Sequence, residues 1–257
     1  MRDLRHAGAA VLGVVMAPEL TTQIEHVRDA TRRLLGGLSG LTDADIARPS
    51  LCPGWTAGHV LTHIARNADG LRRVAAGAER GEILSPYVST EAREEDIEAG
   101  AGRAAADLAA DVGESARRLD QTWQALGATA WDRPLLHHRL GQVPLRATPT
   151  MRWREIEVHH ADLAGAYGPA DWPAPFVAYL LGDLAGTAAG RLPPGVALAM
   201  HATDTGERWA DGSADGRPVT VSGPSWALAS WLMGRAERAR GALSVTSGDL
   251  PALAPWR

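Results

Sequence analysis

Cysteine is almost missing from this sequence: Cys52 stands alone among 257 residues. One thiol can neither close an internal disulfide nor furnish a cysteine-rich zinc site, so a disulfide scaffold is excluded and a reducing, cytoplasmic setting is expected. An excess of positive charge is missing too. Lys and Arg number 26 against 30 Asp and Glu, a formal net charge of -4, which provides no field to gather nucleic acid or an anionic membrane. No apolar run approaches the roughly twenty residues of a membrane span. Aromatic residues are scarce and uneven, with nine Trp, three Tyr and one Phe. The chain also has no glycine-rich phosphate loop, nucleophile elbow or paired-cysteine motif. These absences argue against a polyanionic or membrane-spanning partner.

What is present begins after Met16. Residues 1–16 lie within RDLRHAGAAVLGVVMAPEL and its start, where basic residues precede a short apolar run in the outline of a secretory leader. The run lacks a small-x-small cleavage site, and residues 1–16 are expected to be a loose extension or an over-long start. From Thr22 to Leu35, Ile24, Val27, Ala30, Leu34 and Leu35 recur at helical spacing until Gly36-Gly37. Thr42 heads a short turn. Thr56, after the Pro53-Gly54 turn, is placed to cap a second long helix with Val60, Ile64 and Leu71 on one face. A shorter helix starting at Ser89 or Thr90 carries Arg93, Asp96 and Ile97. A third long helix is predicted over 104–126 and a fourth over 149–166, with a connection between them that holds a brief hairpin. Four long helices with one crossover predict a mainly α protein built on a four-helix bundle, residues 17–168.

YGPADWPAP reads as a linker. Beyond it, a helix over 175–190, the strand-like VALAMHATD, a turn over 211–216, the strand-like PVTVSG, a helix over 224–234 and the strand-like ALSVTSGD predict a small α+β C-terminal domain, residues 169–257.

The ionisable residues concentrate in MRWREIEVHHADL, residues 151–163. Residues four apart on a helix share a face, so Glu155 and His159 point together. Glu157 falls about 200° from Glu155 on the helical wheel and is expected in solvent, with His160 as a flanking group. On the second helix His59 and His63 lie one turn apart, and His63 takes the apolar side beside Val60 and Ile64. If the two helices face each other, His63 supplies a third ligand. Two histidines with one carboxylate are the usual set for a catalytic zinc with open positions, and suit iron(II) or nickel as well. The plainer alternative is helical surface ion pairs with a satisfied core histidine. Asp162 can accept a hydrogen bond from the second nitrogen of a ligating histidine or cap a turn. Cys52 reads as an activated thiolate or a small buried side chain. Arg235 reads as a carboxylate binder or a complement to its helix dipole. His137 and His138, in a polar connection, are expected in solvent.

Three segments, LCPGWTAGHVLTHIARNADGL, YVSTEAREEDIEAGAGR and MRWREIEVHHADLAGAYGPADWP, resemble the mycothiol-dependent maleylpyruvate isomerases of actinobacteria. That family belongs to the DinB-like superfamily of metal-binding four-helix bundles. The resemblance runs from about Met16 through nearly the whole chain, and SWALASWLMGRAERARGAL extends it. It implies zinc bound by His63, Glu155 and His159, mycothiol as thiol cofactor, and Arg235 as the arginine important for activity. The implied reaction is cis-to-trans isomerisation of maleylpyruvate to fumarylpyruvate in gentisate breakdown; the chain itself is expected to be a monomer, although the sequence does not fix the oligomeric state. Thiolate addition turns the double bond into a single bond, rotation follows, and elimination of the thiol restores the alkene. The alternatives are a mycothiol S-transferase or thiol-exchange enzyme on the same scaffold, and a non-catalytic metal- or thiol-binding module.

Overall fold

The computed structural model describes residues 19–255, apart from 138 and 211–216. The expected extension at 1–16, the turn over 211–216 and His138 therefore lie outside the described residues. Those described fall into two compact units that divide between Trp172 and Pro173.

The N-terminal unit is helical. In chain order it contains α1 (Leu20–Leu38), α2 (Asp43–Ile46), α3 (Ala57–Glu79), α4 (Thr90–Ala101) and α5 (Ala105–Ala125). The hairpin β1 (Pro134–His137) and β2 (Gly141–Pro144) and the helix α6 (Thr148–Asp162) complete it. Helix α3 packs on α5 and α6, and α1 packs on the same two, which closes the four long helices into a ring. Each helix lends its apolar stripe: Val27, Ala30 and Leu34 from α1, Val60, Ile64 and Leu71 from α3, Leu108, Val112 and Leu119 from α5, all buried. A fully buried Leu or Ile stabilises the fold by roughly 2 kcal/mol.

The predicted caps form. Thr42 and Asp45 make a capping box at α2. At α3, Thr56 Oγ1 accepts from the His59 amide while His59 Nδ1 accepts from the Thr56 amide (3.2 Å), so His59 serves the helix end. Ser89 Oγ accepts from the Ala92 amide (3.1 Å) and starts α4.

Two helix ends differ from the periodicity. Helix α1 runs through Gly36-Gly37, because the glycine there serves a close approach: a Cβ on Gly37 would lie 2.9 Å from His160 Nε2. Helix α6 stops at Asp162, four residues early, as Ala164 turns into the left-handed region at φ 58°. Glycines also bring α4 onto α3. A Cβ on Gly58 would lie 2.0 Å from Ala101 O, and one on Gly100 would lie 2.5 Å from Thr62 Cγ2.

The C-terminal unit comprises α7 (Ala174–Leu184), β3 (Val196–Ala202), β4 (Arg208–Ala210), β5 (Arg217–Gly223), α8 (Ser225–Leu232) and β6 (Ser244–Val245). Its sheet has the order β4-β3-β5-β6, with β3 and β5 parallel and the outer pairs antiparallel. Leu198, Met200, Val219 and Val221 turn inward, and α8 packs on β3, β5 and α7. The fold is thus mainly α with a small α+β part, as expected. Helix α7 is shorter than its pattern and passes into two 3-10 turns, Ala185–Thr187 and Ala189–Arg191. The last strand-like segment forms a strand at Ser244 and Val245, which pair with β5, and Thr246 adds a bond from its amide to Thr220 O (3.0 Å). Among the described residues no helix is long and apolar enough to cross a membrane.

Candidate metal centre

Helix α6 aims Glu155 and His159 at α3, where His63 meets them. Glu155 Oε2 lies 2.8 Å from His63 Nε2 and 3.4 Å from His159 Nε2. The three donor atoms all lie within 4.8 Å of one another. Ligands bound tetrahedrally at about 2.0–2.1 Å are spaced roughly 3.3 Å apart, so the set fits a zinc-sized cation. The imidazoles of His63 and His159 meet edge to face with centroids 4.7 Å apart. His63 is 5% exposed and the Glu155 side chain 33%.

A second group of residues orients these donors. His159 Nδ1 donates to Asp162 Oδ2 (2.9 Å), a carboxylate almost wholly buried, so Nε2 is the ring nitrogen turned toward Glu155. A ligating histidine held by a carboxylate at its other nitrogen is the arrangement that fixes tautomer and ring angle. Cys52 Sγ donates to the same Asp162 oxygen (3.4 Å) and lies 3.9 Å from His159 Nδ1. The loop that brings it there is tied down by the Leu51 amide, which donates to Asp162 O (2.8 Å). Cys52 is therefore half-buried against the candidate ligands. Cys52, His159 and Asp162 form a second cluster of donor atoms, but their hydrogen bonds to one another make it the support of the first.

The electrostatics favour positive charge at His159. Two carboxylates, Glu155 and Asp162, flank it; burial pulls its pKa down, but hydrogen bonds to Asp162, Cys52 and Glu155 hold it well above the usual imidazole range. Burial pushes the Glu155 carboxyl up, and the bonds to His159 and His63 outweigh it, leaving a carboxylate well below its ordinary value. His63 goes the other way, lowered by burial more than Glu155 restores.

The structure corrects the reading of Glu157. Its side chain is completely buried. It pairs with Arg33 of α1, accepts from Tyr167 Oη (2.5 Å) and accepts from Trp153 Nε1 (3.3 Å). A wheel angle separates two faces of a helix without saying that one is wet, and α6 packs against both α3 and α1. His160 is likewise buried, stacked on Tyr167 at 3.9 Å, and burial with Arg33 nearby pushes its pKa down to about 4.

Tyr167 carries a pH prediction. Burial and the Glu157 carboxylate raise its pKa above the ordinary phenol value. An unfolded tyrosine loses its proton near pH 10 while the folded one keeps it, so stability is lost as pH rises above about 10. Tyr167→Phe is expected to cost about 2 kcal/mol at neutral pH through the lost bond to a buried carboxylate, and to reduce the alkaline loss. Thermal melts of both proteins at neutral pH and above pH 10 check it; parallel pH curves count against it.

Arg235 lies in the C-terminal unit, just after Gly234 (φ 77°) at the end of α8. Its amide donates to Ser230 O (2.8 Å) and its Nη1 to Met233 O (2.9 Å). Sequence reasoning missed Arg93. It was placed on a helix, yet its Nη2 donates to His63 Nδ1 (3.1 Å); the signal was a cation at the start of α4, where the helix dipole disfavours one.

Fold and donor set together define a helical bundle with a candidate metal centre between two of its long helices. Residues 27–164 match the family described as "Mycothiol maleylpyruvate isomerase N-terminal domain". The chain belongs to that family, a family of enzymes. Its structure is similar to the crystal structure of the mycothiol-dependent maleylpyruvate isomerase, at 27% identity and a TM-score of 0.82 over 93% of this chain and 98% of that one. A histidine-to-alanine mutant of that isomerase matches at 26% identity and a TM-score of 0.81 over the same shares. No curated protein matches.

Proposed function

We propose that this protein is a mycothiol-dependent isomerase that converts maleylpyruvate to fumarylpyruvate, a step of gentisate breakdown in a reducing cytoplasm. The convergence of His63, Glu155 and His159, with His159 oriented by Asp162, carries the proposal in a chain of this family. In this reading the three residues hold a divalent ion, zinc by the chemistry of the set. When bound, the ion acts as a Lewis acid that lowers a thiol's pKa or polarises a ketone, and mycothiol supplies the nucleophile.

The chain's own residues then have separable tasks. Glu155 and the two imidazoles hold the cation, and Asp162 keeps the His159 proton on Nδ1. The half-buried Cys52 supports Asp162 and is not the attacking thiol. Arg235 neutralises a substrate carboxylate, as the family resemblance implies.

The test is turnover of maleylpyruvate by zinc-loaded protein with and without mycothiol. Loss of the enol absorbance only when both are present is the expected result. Consumption of thiol into a stable adduct would favour an S-transferase, and the absence of thiol-dependent turnover would remove the isomerase.

A further inference from the structure

Arg93 is the charged group beside the candidate centre to which the proposed function gives no task. Its Nη2 donates to His63 Nδ1 at 3.1 Å. Its guanidinium carbon lies 5.6 Å from the Tyr87 ring centroid and 6.0 Å from that of Trp55. Among the described residues no carboxylate pairs with it. It occupies the first turn of α4, where a positive charge opposes the helix dipole and costs rather than contributes stability. A cation kept in an unfavourable helix position, between two aromatic rings and without an anion, is placed to receive one.

The tautomer of His63 sharpens this. Arginine has donors and no acceptor, so the bond from Arg93 requires a bare Nδ1, and the His63 proton then sits on Nε2 and is donated to Glu155 Oε2 (2.8 Å). A neutral His63 that gives Nε2 to a metal carries its proton on Nδ1 instead. That N–H faces a guanidinium that cannot accept it, and Arg93 needs another acceptor. Flat aromatic neighbours suit a planar guanidinium, a group whose fork of donors matches the two oxygens of a carboxylate.

We propose that Arg93 binds one carboxylate of the substrate beside the metal centre, an inference that rests on the isomerase reading for the substrate's identity. Maleylpyruvate carries two carboxylates, whereas mycothiol, an N-acetylcysteinyl pseudodisaccharide, carries none. Arg93 answers one of these two charges.

Calorimetric titration of zinc-loaded wild type, Arg93→Gln and Arg93→Lys with maleate and with its monoamide tests this, with metal content and mycothiol affinity measured alongside. Wild type is expected to bind maleate about tenfold or more tighter than the monoamide. Arg93→Gln should bind maleate roughly 10- to 100-fold more weakly, the range for a lost charge-assisted hydrogen bond, and lose the preference between the probes. Arg93→Lys should be intermediate, with zinc content unchanged and mycothiol affinity within about twofold in both variants. Unaltered maleate affinity in Arg93→Gln overturns the inference, as does a wild type that binds no maleate saturably. Parallel loss of zinc and maleate in that variant also overturns it, and makes Arg93 a support for His63. Arg93-dependent maleate binding without turnover of maleylpyruvate would sink the isomerase reading alone.

Discussion

Replacing His63 by alanine is expected to abolish stoichiometric zinc binding and, with it, thiol-dependent turnover. The argument is geometric. His63 is the sole donor that α3 brings to the set, and without it Glu155 and His159 remain as two ligands on successive turns of one helix. Two ligands leave a zinc site short of the three protein donors a catalytic centre requires. The comparison that gives the result meaning is Asp162→Asn, which keeps all three donors but weakens the hold on His159. Loss of such an outer partner costs about 10- to 100-fold in metal affinity, so His63→Ala should exceed it. The readouts are zinc per chain after dialysis and the rate of maleylpyruvate loss at saturating thiol. Equal zinc in wild type and His63→Ala would place the ion elsewhere.

Glu157→Gln should lower stability more than any change at the candidate centre. The carboxylate is completely buried and answers Arg33, Tyr167 and Trp153 at once. Removing one partner of a buried ion pair costs about 3–5 kcal/mol because the other charge is left uncompensated. Here the Arg33 side chain is 36% exposed, so water can reclaim part of its charge and a smaller cost, roughly 2–3 kcal/mol, is expected. For a chain of this size that corresponds to a melting temperature about 5–10 °C lower. Zinc content of the folded variant should remain near that of wild type, since Glu157 faces α1 rather than the centre. A melting temperature unchanged within about a degree would show that the pair contributes nothing net.

These two carboxylates, two positions apart, show what a sequence can and cannot disclose. Glu155 and His159 were legible because a four-residue spacing on a helix is itself geometry, and His63 because it sits in phase with Val60 and Ile64. Glu157 was not. Its partner Arg33 lies 124 positions away in the chain, and nothing local to α6 says that its far face is covered. Gly37 was misread for the same reason: a helix stop and a helix contact both ask for glycine, and only His160 across the interface distinguishes them. Cys52 was out of reach because a loop, tied by one main-chain bond to Asp162, carries it to His159. Arg93 was visible as a residue of α4, while its direction depended on how closely Gly58 and Gly100 let α4 approach α3.

The enclosure of α6 bears on how this scaffold can diversify. With Glu155, His159 and Asp162 engaged on one side and Glu157 and His160 locked on the other, the helix has few positions at which variation is neutral. New specificity is more accessible in the segments around Trp55 and Tyr87–Arg93, which border the centre and do not belong to the four-helix ring. A directed-evolution library confined to those two segments would sample new acids or thiols at small cost to folding, whereas one spread over α6 would consist mostly of unfolded chains.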